Sequence, residues 1–398
     1  MRPERVEERE PDRYTLAVAF PPDPDLDPMS ALFTPIKLRG LDLANRIMVA
    51  PMCQYSSVDG EANDWHFTHI NSLALSGAAI FCIEATAVEA SGRITPGCLG
   101  LYNDATEAAL KPVLASVRKR SKAAVMIQLA HAGRKASSHA PWDGGQLIPV
   151  AEGGWPVEGP SAIPHKEAET PPLAFDAAGL KRVRDAFVAG AKRSDRLGID
   201  AIEVHAAHGY LLHQFLSPIA NRRTDEYGGS LPNRMRFPLE VFDAVREAFR
   251  HDKPVGVRVS CTDWVEGGWD LAQTIAFAQE LKKRGVDWID ASSGGVSPLQ
   301  KIPLGPGYQV PFAQAIREAT GLTTIAVGLI TEPKQAEEIV ASGKADMVAL
   351  ARGMLYDPRW GWHAAAELGG EVSAPPQYWR SQPSTQKALF GATTFGTR

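Results

Sequence analysis

The chain has 398 residues, of which 44% are apolar and 22% charged, and a formal net charge of -4 at neutral pH. That balance is ordinary for a soluble globular protein with a large core. It gives no electrostatic footprint for nucleic acid, and no apolar run approaches the roughly 18 residues of a membrane span. Four cysteines, Cys53, Cys82, Cys98 and Cys261, lie without C-x-x-C spacing. Their scatter argues against a zinc or iron–sulfur centre and against a disulfide framework, and points to a reducing cytoplasm.

Residues 1–30 mix charge with Pro21, Pro22, Pro24 and Pro28 and read as a flexible N-terminal arm. The apolar run Leu16–Phe20 is too short for a signal-peptide core. Ordered structure is expected from about Leu32, with a small hairpin over Ile36–Leu43 turning at Arg39-Gly40. Apolar strand-like runs and amphipathic helices then alternate. The strands are expected at Ile47–Met52, Ala79–Ala87, Ala124–Leu129, Ala201–His205, Val255–Val259, Trp288–Ala291, Thr324–Val327 and Met347–Leu350. Helical periodicity is clearest at Asp104–Lys119, Asp176–Leu197, Asn233–Phe249, Leu271–Arg284, Pro311–Thr320 and Glu332–Ala341.

Near-continuous apolar strands imply burial on both faces, hence a parallel sheet covered by helices. Eight such units predict a (β/α)8 TIM barrel over residues 31–370. An open doubly wound sheet is the alternative, but no G-x-G-x-x-G follows the first strand. Two connections are long, Ala130–Phe175 after strand 3 and Gly209–Leu231 after strand 4, and loops of that length usually carry function. Residues 371–398 form a Pro/Ser/Gln-rich C-terminal tail holding Tyr378-Trp379-Arg380.

In such a barrel, chemistry collects where strands end. Strand 1 ends Pro51-Met52-Cys53-Gln54-Tyr55, strand 2 Glu84-Ala85-Thr86, and strand 3 carries Gln128. Strand 5 carries Arg258, strand 6 ends in Ser292-Ser293-Gly294-Gly295, and Gly328, Ala351 and Arg352 follow strands 7 and 8. Gly328 and Arg352-Gly353 let backbone N–H groups approach a phosphate. Arg258 needs an anionic or acceptor-rich partner, and Gln128 offers a paired donor and acceptor for the edge of a heterocycle. A phosphate site, a heterocycle clamp and a cation together point to a phosphorylated aromatic cofactor such as FMN.

Strand 4 ends in His205-Ala206-Ala207-His208-Gly209-Tyr210. Side chains three apart on a strand face opposite ways, so a shared ligand requires the backbone to leave extended geometry between the two histidines. Three readings stay open for the pair: core histidines, metal ligands lacking a third partner, or donors to a substrate oxygen on which charge develops. Tyr210 is protonated at neutral pH and suits a proton donor. Cys53 is either a small buried apolar residue or a thiol tuning a cofactor.

The motifs Ala50-Pro51-Met52-Cys53-Gln54-Tyr55, Gln128-Leu129-Ala130-His131-Ala132-Gly133-Arg134, Glu203–Leu212 and Asn221–Ser230 resemble those of the old yellow enzymes, FMN-dependent ene-reductases. Cys53 with Tyr55 is similar to the bacterial xenobiotic reductase and thermophilic-like subclass. The resemblance runs from about Leu32 to Pro358. It implies that Pro51, Met52, Cys53, Ala85, Gln128, His205 and Arg258 contact the isoalloxazine, and that Gly328, Ala351 and Arg352 hold the phosphate. Tyr55, His205, His208 and Tyr210 would meet the substrate, the histidines anchoring its oxygen and Tyr210 protonating it.

The implied activity is NAD(P)H-dependent reduction of α,β-unsaturated carbonyls or nitroalkenes, with NADPH or NADH as reductant and no metal. A homodimer or homotetramer is expected, with Trp379 or Arg380 as candidates to enter a neighbouring subunit's site. The alternatives are a barrel of the same shape working oxidatively as an amine demethylase, a dienoyl reductase, or a metal-dependent hydrolase.

Overall fold

The computed structural model describes residues 30–393; the predicted arm, apart from Ser30, lies outside them. Eight parallel strands close on themselves: β1 (Ile47–Val49), β2 (Ile80–Ala87), β3 (Ala124–Ala130), β4 (Ala201–Ala206), β5 (Val255–Ser260), β6 (Ile289–Ser292), β7 (Thr324–Val327) and β8 (Met347–Leu350). Each pairs with the next, and β8 pairs back with β1. The outer helices are α1 (Asp64–Ala74), α2 (Asp104–Arg120), α3 (Ala177–Arg196), α4 (Leu231–Ala248), α5 (Leu271–Lys283), α6 (Val310–Thr320), α7 (Pro333–Ala341) and α8 (Trp360–Leu368). The expected TIM barrel is the fold.

Two local differences have physical causes. β1 ends at Val49 rather than Met52, because Pro51 has no N–H to give the ladder. Like α8, α1 has no counterpart among the helices expected from the sequence. Its Asn63–His66 capping box starts it firmly, but Trp65 and Phe67 stand 50% and 43% exposed and blur its apolar stripe.

The core has two layers. One lies between strands and helices; the other fills the barrel with Met48, Ile80, Met126, Trp288, Ile325 and Met347. Leu38 and Leu43 of the hairpin Ile36–Leu38/Leu41–Leu43 join that inner layer and plug one end of the barrel. Trp288 reaches the interior only because β5 has glycine at 256. A Cβ there would sit 2.0 Å from the indole. Gly256→Ala therefore forces a fully buried ring to shift, at a cost of about 1–3 kcal/mol. The expected result is a lower urea midpoint with an unchanged transition slope; an unaltered midpoint would show the interior to be looser than this packing implies.

Candidate active site

The site begins with a backbone reversal after β4. His208 and Gly209 are consecutive left-handed residues, with φ of 58° and 73°. A non-glycine residue there is strained, by about 1–3 kcal/mol, so the surroundings must impose it. The reversal brings the ring of His208 to 5.1 Å from that of His205, edge to face, and the Tyr210 ring also to 5.1 Å from His205. The two histidines therefore do share one side of the strand end.

Their protonation follows from their partners. The Ala207 N–H donates to His205 Nδ1 at 3.3 Å, so that nitrogen is bare and the proton sits on Nε2. Burial, reinforced by the Arg258 charge, pushes both imidazoles well below their ordinary pKa. Both are neutral at physiological pH, and His205 offers an Nε2–H. His208 Nε2 lies 2.7 Å from Ser292 Oγ. Tyr210 is raised by burial and keeps its proton, and its hydroxyl has no hydrogen-bond partner among the described residues. Lys135 lies beside it, its Nζ 4.9 Å from the Tyr210 ring centre. That ammonium donates to the His208 and Gly295 carbonyls at 2.9 and 3.0 Å, and burial lowers its pKa to about 8.

The barrel register stacks the other predicted residues in two rows. A bulge between Ile83 and Ala85 sets Ala85 opposite Gln128, which pairs with Glu203. Two residues further on, His205 pairs with Arg258, and Arg258 with Asp290. Glu203 accepts from Gln128 Nε2 at 2.9 Å and from Trp288 Nε1 at 3.3 Å, which leaves the Gln128 carbonyl for an outside donor.

Arg258 Nε is 3.1 Å from Asp290 Oδ2, yet neither atom finds a hydrogen-bond geometry; the pair is held by charge. One cation faces two buried acids. Asp290 touches it and Glu203 does not, so burial and the Asp290 charge push Glu203 up to about 8 and the carboxyl holds a proton at neutral pH.

The guanidinium of Arg258 makes no hydrogen bond among the described residues, although the residue is 6% exposed. It faces an open cleft of about 170 Å³ lined also by Ser292, Gly328, Ala351 and Arg352. Gly328 has φ of 128°, and a Cβ there would lie 2.9 Å from Gln309 Nε2. Gly328 lines the cleft, as does the start of the short helix Arg352–Tyr356. A cation with no aligned hydrogen bond, facing a cleft that backbone at Gly328 and Arg352 also lines, fits FMN.

Of the other predicted residues, Pro51, Met52, Cys53 and Tyr55 follow β1 and are half-buried. Burial, with the charges of Cys98 and Glu84, raises the Cys53 thiol well above its ordinary value. The Tyr55 ring packs edge-on against Trp142 of the long β3 loop, centres 5.5 Å apart. Trp379 does not line this chain's cleft; its indole donates to the Ala374 carbonyl at 2.9 Å, and Arg380 is exposed. Sequence reading missed Asp290 and Lys135. A lone acid inside an otherwise apolar strand was the available signal for Asp290; Lys135 gave none.

Residues 31–370 match the profile of the NADH:flavin oxidoreductase / NADH oxidase family. The chain belongs to that family. Relatives include NADH:flavin oxidoreductase FG08077 of Gibberella zeae, 42% identical over 92% of both chains. An NADPH dehydrogenase of a Geobacillus species is 45% identical over 88% of this chain and 98% of its own. Among solved structures, morphinone reductase superposes with a TM-score of 0.71 at 29% identity, covering 87% of this chain and 91% of its own. The chain is thus an FMN-dependent NAD(P)H:flavin oxidoreductase of the old yellow enzyme type. No helix among the described residues is long and apolar enough to cross a membrane.

Neutral burial of His205 and His208 makes stability depend on pH. Unfolded, each histidine takes a proton near pH 6.5; folded, it does not, so their contribution is lost as pH falls below that value. Glu203 acts oppositely, its ionisation penalty growing as pH rises from the ordinary glutamate range toward 8. A difference measurement isolates the histidines. Between pH 7 and pH 5, the His205→Asn/His208→Asn apoprotein should gain on wild type by up to about 1.4 kcal/mol per histidine per pH unit below 6.5. Urea midpoints that keep a constant gap over that interval would contradict neutral burial.

Proposed function

We propose that the second substrate is an α,β-unsaturated carbonyl or a nitroalkene, reduced at its C=C bond. The observation that carries this reading is the trio itself: two neutral imidazoles 5.1 Å apart and a protonated phenol against one of them. FMN, when bound, supplies the means of moving a hydride from NAD(P)H to the substrate's β-carbon. This chain's residues do the rest. His205 Nε2–H donates to the carbonyl or nitro oxygen and stabilises the negative charge that grows there. In the tautomer whose Nε2 accepts from the Ser292 hydroxyl, 2.7 Å away, His208 has its proton on Nδ1 as a second N–H to give. Tyr210 donates its proton to the α-carbon, and Lys135 near its ring tempers the phenolate left behind.

Arg258 and Gln128 fit the pyrimidine edge of the flavin, Gly328, Ala351 and Arg352 its phosphate, and Pro51, Met52, Cys53 and Ala85 the ring. Tyr55, near enough to Tyr210 to act on its titration, would also meet the substrate. The oxidative and metal-dependent alternatives fare worse, because Arg258 and Lys135 make the surroundings of the histidine pair cationic. Such a field opposes a quaternary ammonium or a metal ion and favours a developing oxyanion.

Tyr210→Phe removes the acid and keeps the ring. With a simple cyclic enone as acceptor, reoxidation of the NADPH-bleached protein should slow by about 10² or more, while bleaching itself stays near the wild-type rate. An unchanged reoxidation rate would remove Tyr210 from the proton step.

A further inference from the structure

The reversal at His208–Gly209 is held from behind by a buried chain of groups that line no part of the cleft. The Gly209 N–H donates to His213 Nδ1 at 2.8 Å. On its other side, His213 Nε2 lies 2.9 Å from Asp263 Oδ1. Both side chains are fully buried. Asp263 Oδ2 in turn accepts from Ser217 Oγ at 2.6 Å and from the Trp269 N–H at 2.7 Å.

A backbone N–H can only donate, so His213 Nδ1 must be bare. The single proton is then on Nε2 and is given to Asp263, whose carboxylate fixes both the tautomer and the plane of the ring. A second proton on the imidazole would have to displace the Gly209 bond. The pair has the look of a hydrolase's acid–histidine dyad, but its free nitrogen is spent on the main chain and no reacting group can reach it.

We propose that His213, oriented by Asp263, is a positioning residue that sets the reversal and with it the spacing of His205, His208 and Tyr210. The functional consequence rests on the reading of those three as the oxygen anchors and the acid; the structural claim does not. Lys135 and Gln214 grip the carbonyls of the same reversal, His208 O at 2.9 Å and Gly209 O at 2.7 Å. Among the described residues His213 alone accepts the Gly209 N–H, and an orphaned buried N–H is a costly defect.

Two substitutions separate the two ends of the imidazole. In His213→Asn the amide oxygen falls where Nδ1 was and still accepts from Gly209. In His213→Gln the amide nitrogen falls where Nε2 was and still reaches Asp263, but the Gly209 N–H loses its acceptor. Both are made as FMN-loaded full-length protein. Hydrogen exchange of the peptide spanning residues 207–212 reads the reversal directly. Titration with a phenol, followed by long-wavelength charge-transfer absorption, reads its consequence.

The Gln variant should exchange this segment at least about tenfold faster and bind phenol about tenfold more weakly; the Asn variant should match wild type within about threefold in both. Wild-type exchange in the Gln variant, or equal acceleration in both variants, overturns the proposal. Should the Gln variant fail to fold, wild-type protection in the Asn variant still supports it and lost protection refutes it. A wild-type protein that gives no phenol band sinks the anchor reading, and the exchange result still decides the role of His213.

Discussion

The cleft depends on one departure from regular geometry: two successive left-handed residues where β4 should have continued. An extended chain would send His205 and His208 to opposite faces of the sheet, one into the barrel and one into the helix layer. The reversal places both imidazoles and the Tyr210 phenol on one rim. Main-chain groups of His208 and Gly209 are each held by a side chain: Ser260, Lys135, His213 and Gln214. Gly209 also passes so close to Gly295 that a Cβ would lie 2.1 Å from its carbonyl oxygen. The strain at His208 is thus imposed by the surroundings.

Charge placement completes what the backbone begins. Burial, reinforced by the charges of Arg258 and Lys135, keeps the imidazoles neutral, and in the proposed reaction they meet the ligand as donors in a field that welcomes negative charge on oxygen. Beneath them, Arg258 answers Asp290 and leaves Glu203 to hold a proton, with Gln128 and Trp288 steadying that carboxyl. Among the described residues the guanidinium has no aligned hydrogen bond of its own, and we propose that it meets an acceptor at the cofactor's edge. This is the economy of a preorganised site: the polar groups are oriented before any ligand arrives.

Much of this was legible in the sequence, for identifiable reasons. Buried parallel strands leave unbroken apolar runs, so the barrel could be counted strand by strand from Ile47 to Leu350. His205, Tyr210, Arg258 and Gln128 were visible because polar residues at apolar strand ends have few bland explanations. Pairings across the fold were not legible. Nothing near Asp263 in the chain announces His213, fifty positions away, and Asp290 looks like any strand acid until the register sets it beside Arg258. α1 was missed because aromatic residues sit on its solvent side, and Lys135 because a lysine after a glycine-arginine turn normally points to water.

The most direct test of the whole account is a crystal structure of the FMN-loaded protein with a phenol bound. The phenolic oxygen should lie within hydrogen-bond distance of both His205 and His208, with the aromatic ring stacked on the flavin and the Tyr210 hydroxyl above it. A phenol held by any other pair of groups, or imidazole rings turned away from one another, would contradict it.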